Sequence, residues 1–317
     1  MHEGLPSLIF FDIEAKISMM MNQKIIKKMR SISAGLVLFL FLSSTFSYAE
    51  SSDKITIGSF NIQIFDVQKV KREETLHVLA ETAAHFDILA VQEVGSNGSK
   101  ATDDECNLVM KTYTAEINTV EGTDVYDFIH ENQYGIIYRT DKVQLQKWAP
   151  YSGSIHLTYT PLTAYFKATK GNFDFCLITV HTRPTAAKTE IPELKTVMQE
   201  VSKEYGDPDV ICAGDYNGDI PYYEEGSGEN LTGFDGYITG IPNSADTNVA
   251  SSSKTYDRME MTPSLNTDFT GSWGVFIISD YYDVSHCEGT KKTRGTEAAL
   301  SDHYPVWCSF YEDRDTD

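Results

Sequence analysis

Positive charge is scarce in this chain. Its 26 Lys/Arg face 46 Asp/Glu, for a net charge of −20. Such a surface repels polyanions. A phosphodiester substrate would therefore need metal ions and local Lys or Arg to offset the field, and an acidic balance suits a protein that uses divalent cations. Cysteine is scarce too. The five residues Cys106, Cys176, Cys212, Cys287 and Cys308 cannot all pair, and none stands in a CxxC or His-Cys spacing, which argues against zinc. Cys176, Cys212 and Cys308 lie in apolar strand-like runs, where a free thiol is a small core residue. Cys106 and Cys287 lie in polar segments and could pair. The longest apolar run is too short to span a bilayer, and no low-complexity linker or short repeat divides the chain.

That apolar run, from Ala34 to Leu42, follows Lys24, Lys27, Lys28 and Arg30 and precedes Ser47-Tyr48-Ala49, a triplet with small residues at its ends. This is the pattern of a secretory signal peptide cleaved after Ala49. Residues 1–49 are expected to be an N-terminal extension plus signal peptide, with Met20 and Met21 as alternative starts. The mature protein would be secreted, extracellular or periplasmic, with no stable membrane anchor. Residues 50–317 are long enough to bury a substantial core.

Strands and helices alternate in the first half. "KITIGSFNIQIF" alternates and reads as a strand ending near Asn61, and a helix is expected over 68–86. "DILAVQEV" and "QYGIIYR" are short apolar strands. "LTAYFKA" and "FDFCLITVHTRP" read as a strand pair. "EIPELKTVMQEVSKEY" reads as a helix with Pro192 in its first turn. "PDVICAGDYNGD" is a buried strand, long loops cover 222–256 and 286–300, and "DHYPVWCSF" closes the chain. The pattern argues a mixed α/β layered domain.

The stretch "ALSDHYPVW" puts Asp302 and His303 side by side at the mouth of a buried strand. Alone it reads as a turn. It is one of six strand ends that carry chemistry, the others being Asn61, Glu93, His181, Asp215 with Asn217, and Asp257. Such ends gather on one rim of a sheet, where α/β sites are built. Asn61, Glu93, Asp215, Asn217 and Asp302 offer hard oxygen ligands for Mg²⁺, Ca²⁺ or Mn²⁺. His181 and His303, each with an acidic orienter, can act as general base and general acid. His77, His85, His130, His156 and His286 lack a second ligand at metal spacing and read as structural or surface residues.

The ordered set "FNIQIF", "LAVQEV", "VHTRP", "AGDYNGD", "SADTNVASSSKTYDR" and "SDHYP" resembles the endonuclease/exonuclease/phosphatase superfamily, and within it the secreted DNase I-like family. The resemblance covers nearly all of residues 55–310, and the "SADT…YDR" stretch is its most specific part. It implies a four-layered α/β sandwich, with two central mixed β-sheets packed face to face and helices outside. It implies His181 and His303 as catalytic imidazoles, Asp257 as the orienter of His303 and Glu131 as that of His181. "ENQY", however, puts one residue more than the family pattern between Glu131 and the tyrosine. Asn61, Glu93 and Asp302 would hold Mg²⁺ or Mn²⁺. Asp215 and Asn217 would bind metal or phosphate, and Arg183 and Tyr256 would join Asn217 at the substrate phosphate. Asp246, Asn248 and Ser252 would form a structural Ca²⁺ loop, for which a plain Ser/Asn-rich loop is the competing reading.

The departures bear on substrate. Where the family places DNA-contacting arginines, this chain has Gln63, Gly95 and Thr160, and a family tyrosine that enters the minor groove falls near Ile129. The family disulfide after "GDFN" is absent, with Ile220 and Lys254 at its positions. Fewer phosphate-contacting arginines weaken duplex affinity. The expectation is a monomeric, metal-dependent endonuclease acting on DNA to leave 3′-hydroxyl and 5′-phosphate ends. A phospholipid or sphingomyelin phosphodiesterase or a phosphatase is the alternative, and a catalytically silent binding protein the third reading.

Overall fold

A computed structural model describes residues 54–95 and 101–317. The expected signal peptide and its cleavage after Ala49 lie outside the described residues. Two six-stranded sheets form the centre. The first contains β1 (Lys54–Phe65), β2 (Ile88–Val94), β3 (Tyr126–Glu131), β4 (Tyr134–Arg139), β11 (Phe269–Val275) and β12 (Val306–Tyr311), in the order β11-β12-β1-β2-β4-β3. The second contains β5 (Val143–Pro150), β6 (Leu162–Ala168), β7 (Asp174–His181), β8 (Val210–Asp215), β9 (Ile238–Thr239) and β10 (Asp257–Met261), in the order β5-β6-β7-β8-β10-β9. Both are mixed: β1 runs parallel to β2 and β7 to β8, while the other pairs are antiparallel.

Side-chain alternation explains the layers. Ile55 and Ile57 of β1 face Phe166, Phe175, Leu177 and Met259 of the second sheet in one buried cluster. Phe60 and Ile62 point the other way, to α2 (Glu73–Ala83) and α3 (Asp103–Glu121). On the far side, Ile191, Leu194 and Val197 of α4 (Ala187–Tyr205) cover Ile178 and Cys212. Strands buried on both faces read as continuous apolar runs. The result is the expected helix–sheet–sheet–helix sandwich.

Several details differ from the sequence expectation. The helix expected over 68–86 is two, α1 (Val67–Val70) and α2, with Asp66 accepting from the amides of Gln68 and Lys69 to start the first. Helix α4 begins at Ala187, so Pro192 sits in its second turn rather than its first. Helix α3 had no counterpart in the sequence reading. Its buried Cys106, Val109, Met110, Tyr113 and Ile117 keep helical spacing, but many polar and Thr residues dilute the stripe. All five cysteines are buried and free; Cys106 and Cys287 are 1% and 0% exposed and pack in the helix-side core of the first sheet instead of pairing.

Candidate active site

The residues singled out at strand ends meet on one rim, between the two sheets. Asp257 opens its strand and the Asp302-His303 pair precedes its own, rather than ending them. They still reach the rim because β10 and β12 run antiparallel to β8 and β1, with Asp257 opposite Asp215. Backbone strain gathers here as well. Five non-glycine residues among those described have positive φ: Gln63, Ile64, Glu93, Asn132 and Asn217. All five are site residues or neighbours of site residues, and such conformations cost about 1–3 kcal/mol each unless the surroundings enforce them. Gly214 permits the close passage that delivers Asp215, since a Cβ there would lie 1.9 Å from the Val180 carbonyl oxygen.

Asp215 is the hub. Its Oδ2 accepts from Asn61 Nδ2 at 3.0 Å and lies 3.4 Å from His181 Nε2 and 3.6 Å from His303 Nε2. Its Oδ1 accepts from the Asn217 amide at 2.8 Å, and Asn217 Nδ2 donates to the Thr182 carbonyl at 2.9 Å. Asn61 Nδ2 also donates to Glu93 Oε1 at 3.1 Å. Glu93 Oε2 accepts from the Ile64 amide at 2.8 Å, and Gln63 Nε2 donates to Asp302 Oδ2 at 2.8 Å. Ser301, which the sequence reading passed over inside "SDH", ties both halves. Its Oγ donates to the Asn61 carbonyl at 2.6 Å and accepts from the His303 amide at 3.1 Å.

The imidazoles are held differently. His303 Nδ1 lies 2.8 Å from Asp257 Oδ2, and its side chain is 12% exposed. Burial disfavours its charge, but the Asp257 and Asp215 carboxylates outweigh burial and hold the imidazolium well above the ordinary histidine range. His181 does not meet Glu131. Its Nδ1 contacts Gln133 Oε1 at 3.2 Å, and its amide donates to the buried Tyr134 hydroxyl at 3.0 Å. The expectation for Glu131 is corrected by the hairpin. Glu131 pairs with Tyr134 across a two-residue turn, so Asn132 takes positive φ and Gln133 points to the rim, while Glu131 accepts from Asn132. A neutral amide therefore stands where a carboxylate was expected.

Lys69 and Glu190 are further residues that sequence reasoning missed. Lys69 is 6% exposed and donates to the carbonyls of Ile62 (2.8 Å), Gln63 (2.5 Å) and Leu300 (2.9 Å), binding the bulge of β1 to the segment before Asp302. Burial lowers it to about 8. Glu190 of α4 accepts from the amides of Thr158 (2.7 Å) and Arg183 (2.9 Å). Arg183 is exposed just beyond His181, and the Tyr256 ring lies 6.1 Å from that of His303.

In the 246–252 loop, Asp246 Oδ1 accepts from the Asn248 and Lys254 amides at 3.3 and 3.1 Å, and Asn248 Nδ2 donates to the Ser252 carbonyl at 2.8 Å. The Asn248 backbone also bridges to that of His303, so the loop braces the backbone that carries the imidazole. Where the family disulfide is missing, Asp219 accepts from the Thr255 amide at 3.0 Å and pairs with Lys254 at 3.6 Å. Arg258 of "YDR" is fully buried and donates to Glu225, Asn243 and the Gly218 carbonyl. These bonds join the same loops without a disulfide.

The donor set suits a hard divalent cation. Three carboxylates, Glu93, Asp215 and Asp302, stand with the Asn61 amide, whose Nδ2 donates to Glu93 and Asp215 and whose Oδ1 accepts from the Gln63 amide, and the Lys69 ammonium is turned onto backbone carbonyls instead of onto them. Asp215, Asp257 and His303 form an acid/imidazole group, with one ligand atom from each within 4.8 Å of the others.

The architecture and rim define the class first: this is the endonuclease/exonuclease/phosphatase fold. Among solved structures, a family protein of that name from Bacteroides thetaiotaomicron matches 81% of this chain and 98% of its own at 16% identity, with a TM-score of 0.56. A mannosyl-6-phosphatase from the same organism matches 81% and 99% at 16% identity, with a TM-score of 0.52. A D. rerio TDP2 complexed with single-strand DNA product matches 81% and 98% at 15% identity, with a TM-score of 0.51. Within that class the chain is a homologue of the DNase I-like proteins. It is 26% identical to deoxyribonuclease-1-like 1 of Cricetulus griseus over 81% of this chain and 84% of that protein. It is 25% identical to deoxyribonuclease-1 of Bos taurus over 80% and 90%. No family model matches the chain.

Proposed function

We propose that the protein is a secreted, monomeric, divalent-metal-dependent endonuclease that hydrolyses DNA phosphodiesters to 3′-hydroxyl and 5′-phosphate ends. The carrying observation is the convergence of two imidazole Nε2 atoms on one Asp215 oxygen, each ring held from behind at Nδ1. Homology to deoxyribonucleases supports the substrate.

Asp257 and Gln133 accept the Nδ1 protons of His303 and His181, so both rings present Nε2 to the substrate. One ring takes a proton from the attacking water, and the other gives a proton to the leaving 3′-oxygen. Asn217, Arg183 and Tyr256 hold the phosphate. Asn61, Glu93 and Asp302, with Asp215 beside them, would hold Mg²⁺ or Mn²⁺, which when bound draws off charge from the non-bridging oxygens. The 246–252 loop would take a structural Ca²⁺. Secretion rests on the signal peptide, and N-terminal sequencing of exported protein should begin at Glu50.

One observation favours keeping a second substrate class. Gln63, at a family arginine position, has its amide engaged by Asp302, which leaves fewer groups to track a duplex backbone. A phospholipid or phosphomonoester reading follows from that. The test is end-group analysis of digested DNA beside assays on sphingomyelin vesicles and a sugar phosphate. The nuclease reading requires DNA fragments that a ligase can rejoin; turnover of lipid or phosphomonoester without DNA cleavage would replace it.

A further inference from the structure

A second acidic cluster lies at the other end of β8. Asp209 immediately precedes the strand that ends in Asp215, so the cluster stands about 20 Å from the rim. One carboxylate oxygen each of Asp209, Asp315 and Asp317 lies within 4.8 Å of the other two. Asp209 is 1% exposed, and neither of its carboxylate oxygens has a well-formed hydrogen bond among the described residues, because the nearby Ser264 hydroxyl donates to the Pro208 carbonyl at 2.9 Å. Asp268, also 1% exposed, adds its charge beside them and leaves its own Oδ1 without a partner. Two buried carboxylates with unsatisfied oxygens, Asp209 and Asp268, beside two further acids are costly unless a cation joins them.

We propose that Asp209, Asp315 and Asp317 bind a Ca²⁺ ion that pins the 312–317 segment to the sheets. The ligands are all hard oxygens, with no imidazole or thiolate among the three, which selects Ca²⁺ over zinc. Oxygens at 2.3–2.6 Å from a common ion are at most about 5 Å apart, and the three found here satisfy that limit. The segment is already laid in place. Asn172 Nδ2 donates to the Asp315 carbonyl at 2.6 Å, the Asp174 amide to Asp315 Oδ2 at 3.2 Å, and the Asp317 amide to Asp315 Oδ1 at 3.1 Å. Asp317 is exposed, which gives an ion and its waters a way in. The site has no part in catalysis, so its consequence is Ca²⁺-dependent stability at fixed activity.

The experiment compares the wild-type protein, stripped with chelator, with the variant Asp315→Asn/Asp317→Asn. Both substituted residues lie outside the core, so the variant's fold is not at stake, and circular dichroism checks it. Calorimetric titration with CaCl₂ should find one more bound equivalent in the wild type than in the variant. The wild-type Tm should rise by several degrees in ~10 mM Ca²⁺, and the variant should lose most of that rise. Plasmid nicking at saturating Mg²⁺ should agree within about twofold. Equal Ca²⁺ stoichiometry in the two proteins would overturn the proposal and leave Asp209 as a protonated buried acid.

Discussion

Gln133 and Glu131 are two residues apart and have different prospects. Gln133 touches His181, whereas Glu131 touches Asn132. Gln133→Leu cannot accept the Nδ1 proton and should lower kcat about 10- to 100-fold, while Glu131→Gln should change it less than about twofold. Steady-state nicking rates separate the two. Glu260 offers a test of burial. It is 0% exposed and accepts from Thr239 at 2.9 Å, and burial pushes it up to about 8 from 4.5. A raised pKa means that its contribution to stability is full below about pH 4.5 and is lost as pH rises through about 8. Glu260→Gln should therefore match the wild type near pH 5 and exceed it by a few kcal/mol near pH 9 in urea unfolding. No gain at alkaline pH would show that Glu260 ionises at no cost.

At the scale of elements, the rim depends on a strained bulge in β1. Its register shifts between Asn61 and Phe65, and the Lys69 ammonium holds the displaced carbonyls. Lys69→Met should cost about 3 kcal/mol and lower kcat more than about tenfold, because Asn61 and the segment before Asp302 lose their common anchor. Thr102→Ala removes a side-chain cap from α3, whose Thr102 accepts from the Glu105 amide at 3.2 Å. It should cost about 1 kcal/mol and leave kcat unchanged. Equal effects on kcat would mean that the Lys69 anchor serves stability alone. Elements legible in the sequence were those with unbroken apolar runs, such as "LTAYFKA", which is β6 residue for residue. Helix α3 was hidden by its polar residues, and β5 by exposure along much of its length.

For the molecule as a whole, the rim was more legible than its supports. Asn61, Glu93, His181, Asp215, Asp257 and His303 could be read because chemistry-bearing side chains recur at apolar strand ends. Gln133, Lys69 and Ser301 could not, because their roles come from a tight turn, a bulge and a backbone contact that have no spacing signature. The net charge of −20 sets the encounter with substrate. With Gln63, Gly95 and Thr160 at family arginine positions, few phosphates are neutralised. The logarithm of kcat/KM on duplex DNA should fall against log[salt] with a slope of about −1 to −2. A slope near −5 would reveal a broad cationic footprint and contradict this reading.

The central claim is that His303, held by Asp257, performs metal-dependent phosphodiester hydrolysis. Nicking of supercoiled plasmid by residues 50–317 tests it most directly, with Mg²⁺ plus Ca²⁺, with chelator, and with His303→Ala. The account predicts nicking by the wild type that chelator abolishes and the variant loses by at least about 10³-fold. Nicking that persists in the folded variant, or no nicking by the folded wild type, would contradict it.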